Sequence, residues 1–266
     1  MDAFFRRFFP HDGDATLGYH RALAAQLGGA RALLDFGCGD NTDLAPYRAA
    51  GRDVWGADFQ AHPRLTYAER FRLLTPDGAA PFPDASFDLI AARWVLEHVR
   101  EPEAFLAEVR RLLRPGGRFV ALTINAAHYV TGLTRLVGLL PHAVTQRLVR
   151  RLYGRACHDT FPTWYRMNTG PQLRRLARRA GLRLAGLTRF ANADYFSFAP
   201  RLRRAAVLLD WLLERAGTDL GRLYLVATFR KPERLEGPGP AGWAKPGGYS
   251  LDNGRSTCYG LRGKCA

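Results

Sequence analysis

The chain has 266 residues, of which 47% are hydrophobic and 24% charged, and a formal net charge of +15. That composition suits one large soluble domain with a buried core, and no run of about 18 apolar residues lacks charge, so no transmembrane helix is expected. The four cysteines, Cys38, Cys157, Cys258 and Cys265, form no CxxC pair, which argues against a disulfide framework or a zinc site.

The opening stretch MDAFFRRFFPHDGD has no continuous apolar core of signal-peptide length, and a cytoplasmic location is expected. Residues 16–28 carry apolar positions at helical spacing and stop at Gly28-Gly29. Residues 31–36, a short apolar run bounded by glycines, predict a buried strand; 43–51 a short helix; 53–58 a second strand; 87–92 a third. Residues 101–117 predict an amphipathic helix with acids in its first turn and a Pro-Gly-Gly stop, followed by a strand at 118–124. The pattern breaks between 125 and 170, where two short helical pieces and a loop are expected. It resumes with a helix at 171–181, a strand at 182–190, a helix at 201–217 and a last strand at 222–229. Strands alternating with helices imply a three-layer α/β fold with a mostly parallel sheet covered on both faces. From Pro232 onward the chain is rich in glycine and proline without periodicity, so a disordered tail over 231–266 is expected.

The chemistry concentrates in LLDFGCGDN, residues 33–41, at the carboxyl end of the first strand. Open α/β sheets bind ligands beyond these ends. Gly37 and Gly39 allow a sharp turn and a close backbone approach, with Cys38 a small residue between them. Asp58 ends the second strand, 19 residues beyond Gly39, the spacing at which an acid reaches ribose hydroxyls. A dinucleotide is the first candidate and fits poorly. The third glycine of GxGxxG falls on Thr42, Asp40 stands where a pyrophosphate would be repelled, and Asp35 suits a cationic group such as an ammonium.

Those residues resemble class I S-adenosylmethionine-dependent methyltransferases over roughly residues 15–230. LLDFGCGDN looks like that family's first motif, GADF (56–59) its second, PFPDASFDLIAARWVLEHV (81–99) its third and EVRRLLRPGGRF (108–119) the next. The resemblance implies a Rossmann-like sheet ending in an antiparallel hairpin of 182–190 with 222–229, and S-adenosylmethionine as cofactor. It implies that Asp35 faces the methionine ammonium and that Gly37, Cys38 and Gly39 approach the cofactor. Asp58 would hold the ribose diol, with Phe59 near the adenine and Asp77 accepting from its amino group. Arg93 and Trp94 would line the pocket near the sulfonium, although a guanidinium does not favour a sulfonium and Arg93 is expected to face outward.

Methyl transfer from a sulfonium needs alignment and a dry pocket rather than a fixed catalytic residue, so no motif names the acceptor. The tetrapeptide after the third strand is Arg93-Trp94-Val95-Leu96, not the [DNS]-P-P-[YFW] of base amino methyltransferases, and no Pro-Cys or Thr-Cys supplies a nucleophile for C5-cytosine chemistry. His98 is read first as satisfying a backbone group and second as catalytic. In the family, insertions after the strand at 118–124 cover the active site, so a helical lid is expected over 125–170. There, His158, Asp159, Tyr165 and Arg166 are the candidate acceptor contacts, while Asn168 or Thr169 caps the helix that follows.

All but Lys231, Lys245 and Lys264 of the 39 basic residues are arginines, which looks like compositional bias as much as a binding face. Residues 141–189 nevertheless hold eleven arginines and a single acid, Asp159, and residues 130–154 are apolar on one side and basic on the other. These features are compatible with an anionic acceptor, with RNA, or with lying on a membrane surface. A small-molecule methyltransferase, with a lipid-like acceptor suiting the lid, is the leading reading. An RNA methyltransferase follows, then a non-catalytic cofactor-binding protein of the same fold, and last a nicotinamide oxidoreductase.

Overall fold

The computed structural model describes residues 2–12, 14–137, 144, 147, 151 and 162–233. Seven strands form one sheet: β1 (Ala32–Phe36), β2 (Asp53–Asp58), β3 (Phe71–Leu73), β4 (Phe87–Arg93), β5 (Leu113–Ile124), β6 (Arg183–Phe190) and β7 (Tyr224–Arg230). Their order is β3-β2-β1-β4-β5-β7-β6. The pairs from β3 to β5 are parallel, and β7 runs antiparallel to both β5 and β6. The strand order reverses between β1 and β4, which opens a crevice at their carboxyl ends.

Successive side chains on each strand alternate between two cores, as strand geometry requires. Leu34, Phe36, Ile90, Ala92, Phe119 and Ala121 face one side, where α4 (Pro102–Leu112) and α6 (Gly170–Arg179) cover them. Leu33, Leu89, Ala91, Val120 and Leu122 face the other, against α2 (Ala15–Ala24) and the region of α3 (Ala45–Ala49). The strands are thus buried on both faces in three layers, as their near-continuous apolar runs predicted.

Two elements escaped the sequence reading. The first is α1 (Ala3–Phe8), capped by the Asp2 side chain. Its Phe5, with Phe9, packs on Ala206 and Val207 of α7 (Pro200–Arg215). The helix is too short for periodicity to announce it. The second is β3, a three-residue edge strand whose pattern is half-exposed. The predicted helix at 101–117 ends at Leu112, and Leu113 through Gly117 enter β5 instead. The register between β4 and β5 shifts there, from Phe87–Leu113 to Leu89–Arg118, and Gly116 takes φ 79°. Pro-Gly-Gly therefore forms an irregular strand entry rather than a loop.

Of the lid expected over 125–170, the described part is α5 (Tyr129–Val137) and the stretch from Pro162 onward. His158 and Asp159 lie outside the described residues, as does the tail from residue 234. No described helix is long and apolar enough to cross a membrane.

Candidate active site

The turn after β1 is built from left-handed residues. Gly37, Gly39 and Asn41 have φ of 75°, 53° and 51°, a region open to glycine and tolerated by asparagine. The N–H groups of Gly37 and Cys38 both donate to the Ala57 carbonyl, at 2.7 and 3.2 Å, which ties the turn to the end of β2. Asn41 is fully buried, and its Oδ1 accepts from the backbone N–H of Thr66 (2.9 Å) and Tyr67 (3.3 Å). A side chain unremarked in the sequence thus staples the loop before β3 to the glycine turn.

The two glycines differ in what surrounds them. A Cβ on Gly37 would meet Val95 Cγ2 at 2.5 Å, so Gly37 makes room for the segment after β4. A Cβ on Gly39 would find nothing within 4 Å, so Gly39 opens onto free space. Cys38 packs its sulfur on Gly56, where a Cβ would stand 2.8 Å from Sγ. Burial and the negative charges of Asp35 and Asp58 push its thiol pKa far up, so Cys38 is an inert packing residue within the turn.

Acids ring this turn. Asp35 ends up 1% exposed beneath it. Asp58, half-buried at the end of β2, accepts from the Gly39 N–H at 2.9 Å through one oxygen and from the Phe59 N–H at 2.7 Å through the other. These bonds hold the carboxylate beside the open face of Gly39. Asp40 is turned to the Thr42 hydroxyl (2.8 Å). The fields of Asp35, Asp58 and Asp40 all reach Cys38, an arrangement that repels a pyrophosphate and suits a ligand carrying cationic and hydroxyl groups. Phe59 projects into solvent, 37% exposed, next to Asp58. Asp77 lies in an exposed turn and accepts from the Thr75 hydroxyl.

Arg93 corrects an expectation. It does not face outward: its side chain is 9% exposed and forms a two-point ion pair with Asp43. A guanidinium at a strand end buried on both faces needs a fixed counter-charge, and the turn supplies it fifty residues earlier in the chain. Tyr19 lies in the same buried group. Its hydroxyl pKa is raised by burial and by Asp35 and Asp43, with Arg93 opposing. Trp94 has φ 60° and packs edge-on against Tyr224, with ring centres 5.2 Å apart.

Beyond β4 and β5 lies a polar cluster that the sequence did not single out. Glu97 is 2% exposed and accepts from the Thr123 hydroxyl at 2.9 Å. The Asn168 side-chain amide lies 2.6 Å from the same hydroxyl, which joins Glu97, Thr123 and Asn168 in one buried group. The Glu97 carbonyl takes the N–H groups of Trp164 (2.7 Å) and Tyr165 (3.3 Å), which ties the stretch after Pro162 to the turn that follows β4. Tyr195 and Tyr224 complete the wall. Burial is the first cause that raises both hydroxyl pKa values, and Tyr224 reaches about 12. His98 stands in a single 3-10 turn and donates its Nδ1–H to the Pro162 carbonyl at 2.8 Å, which is its backbone-satisfying role.

Of the four candidate acceptor contacts the structure describes two, Tyr165 and Arg166, and separates them. Tyr165 is buried with Ile124, Val130, Tyr195 and Leu223. Arg166, its neighbour, points away, donating to the Arg100 carbonyl at 2.9 Å and lying 3.6 Å from Glu101. Thr169 caps α6, and Asn168 is given to Thr123. Among the described residues no group of three or more His, Cys, Asp or Glu side chains is placed to hold a metal ion.

A family model described as "Methyltransferase domain" matches residues 10–186. The ubiquinone biosynthesis O-methyltransferase of Cereibacter sphaeroides (strain ATCC 17025 / ATH 2.4.3) is 32% identical over 166 residues, covering 56% of this chain and 59% of that protein. The demethylmenaquinone methyltransferase of Clavibacter sepedonicus is 29% identical over 198 residues, covering 70% and 80%. The chain thus spans less than two thirds of the length of some curated relatives that it matches. A geranyl diphosphate C-methyltransferase from Streptomyces coelicolor A3(2), solved with S-adenosyl-L-homocysteine, shares the fold with TM-score 0.51 and 14% identity, covering 81% of this chain and 77% of that one.

Proposed function

This chain belongs to the class I S-adenosylmethionine-dependent methyltransferase family, and from that premise we propose that it transfers a methyl group to a small, lipid-like acceptor. The observation that carries the reading is the glycine turn: open at Gly39, ringed by Asp35, Asp40 and Asp58, with Asp58 oriented by the Gly39 N–H. This set fits a cofactor with an ammonium, a sulfonium and a ribose diol, and disfavours the pyrophosphate of a dinucleotide.

Asp35 and the turn would hold the methionine end, Asp58 the ribose, and Phe59 would flank the adenine. Asp77 would meet the adenine amino group if its turn closes inward. Arg93, neutralised by Asp43, keeps its charge from opposing a sulfonium nearby, while Trp94 with Tyr224 forms an apolar wall. When bound, S-adenosylmethionine supplies an activated methyl for in-line displacement. The chain's own contribution is to align the acceptor and exclude water at the ends of β4 and β5. The aromatic cluster of Tyr165, Tyr195 and Tyr224 over Ile124 and Leu223 suits a flat or prenylated acceptor, in keeping with the quinone methyltransferases among its relatives. His158 and Asp159 remain proposed acceptor contacts.

The test supplies methyl-labelled S-adenosylmethionine and purified protein to host lysate, followed by separation into RNA, protein, lipid-extractable and small polar fractions. Label in the extractable fraction supports the reading, and its mass names the acceptor. Nuclease-sensitive label would replace it with RNA methylation through the arginine-rich stretch.

A further inference from the structure

Among the described residues thirteen large apolar side chains are exposed, and eight of them sit on α5, on α7 or in the turns flanking α7. On α7, Leu202, Ala205, Leu208, Leu209 and Leu212 are all exposed, and at 100° per residue they share one arc of the helix. Leu212 is 56% exposed. The opposite arc, Ala206, Val207 and Asp210, is buried against α1 and the start of α5. On α5, Leu133 and Leu136 lie one turn apart and both are exposed, Leu136 at 64%.

The start of α5 packs on α7. His128 Nε2 stands 3.5 Å from Asp210 Oδ1 with both side chains fully buried. That contact lies on the buried arc of α7, opposite its exposed leucine stripe. That surface adjoins the acceptor end of the sheet, because Phe196 joins the cluster under α7 and the cluster around Tyr165 and Tyr195.

Charge selects the occupant. Arg204 and Arg215 border the leucine stripe and Arg201 stands at its amino-terminal end, all three exposed. The acids of this region are turned inward or paired: Asp210 is buried, Glu214 bonds Arg222, and Asp194 bonds Arg203 at 3.1 Å. A second copy on a two-fold axis would bring these arginines towards their own copies. A surface of apolar chains topped by negative headgroups meets both the leucines and the arginines.

We propose that the leucine face of α7 docks on an anionic lipid bilayer, with Leu202, Leu209 and Leu212 dipping into the headgroup boundary and Arg201, Arg204 and Arg215 on the phosphates. The chain lies on the membrane and does not span it.

The experiment is vesicle flotation of the full chain, with no acceptor or cofactor present. Wild type floats with vesicles of phosphatidylcholine and phosphatidylglycerol in equal parts, more weakly with pure phosphatidylcholine, and less as salt rises. Leu209→Gln/Leu212→Gln lowers binding at least about tenfold, since two insertions are lost, while its urea midpoint stays near that of wild type because both side chains are exposed. Failure of wild type to float overturns the proposal. So does a double variant that binds as well as wild type, or a wild-type dimer in gel filtration that the double variant dissolves. Because flotation needs no methyl acceptor, it fails or succeeds independently of the methyltransferase reading, which lysate labelling decides.

Discussion

Alanine at Gly37 and alanine at Gly39 should have opposite signatures, although both glycines are left-handed and only two residues apart. Each alanine costs about 1–2 kcal/mol of stability from the left-handed backbone alone. At Gly39, with φ 53° and nothing within 4 Å of the new Cβ, that is the whole structural cost. The methyl group would instead occupy the space beside Asp58 that we assign to the cofactor, and S-adenosylhomocysteine affinity should fall at least about tenfold, or about 1.4 kcal/mol. At Gly37, with φ 75°, the Cβ would sit 2.5 Å from Val95 Cγ2. Overpacking adds about 1–3 kcal/mol there, for a total near 2–5 kcal/mol of lost stability. Urea denaturation reads the first quantity and calorimetric titration with S-adenosylhomocysteine the second. If Gly39→Ala bound S-adenosylhomocysteine as tightly as wild type, the turn would not be the cofactor cradle and the site assignment would collapse.

Three further outcomes follow from buried charge. Arg93→Met leaves Asp43 buried without its guanidinium and should cost about 3 kcal/mol in urea denaturation, whereas Arg93→Met/Asp43→Leu should recover most of it; equal losses would show that the pair is not coupled. Asp210 has a pKa raised above 3.8, chiefly by burial, with His128, Tyr129 and Arg222 opposing. The folded state thus holds this proton more tightly than the unfolded chain, so its contribution is present below about pH 4 and fades as pH rises through the folded value. Relative to Asp210→Asn, wild type should therefore lose stability as pH rises above about 4, and a difference that does not change with pH would refute the burial argument. Finally, Asp58→Asn can still accept from Gly39 but loses the bond from Phe59, and should cost about 1–3 kcal/mol in urea denaturation while lowering S-adenosylhomocysteine affinity about tenfold. Wild-type affinity in Asp58→Asn would remove the ribose role.

The layered sheet and the position of the glycine turn were legible in residue order alone. Both rest on local rules: strands buried on both faces must be apolar throughout, as LLDF and FDLIAA are, and a backbone that turns left-handed twice in three residues needs Gly37 and Gly39. The spacing to Asp58 was legible because β1 and β2 are neighbours in parallel register, so a carboxylate at one strand end reaches the turn at the other. Tertiary structure alone decided the partners of charged and polar side chains. Arg93 looked like a misplaced cation until folding set Asp43 against it. Glu97 passed unnoticed because its value comes from Thr123 and Asn168, which lie 26 and 71 residues further along the chain. Tyr165 and Arg166 looked alike as acceptor contacts, and a φ of 52° at Tyr165 turned one ring inward and left the next side chain in solvent. The reason is common to these cases. Apolar periodicity reports which face of an element is buried, a one-dimensional property, whereas a buried charge is stable only beside a counter-group that the whole topology must deliver.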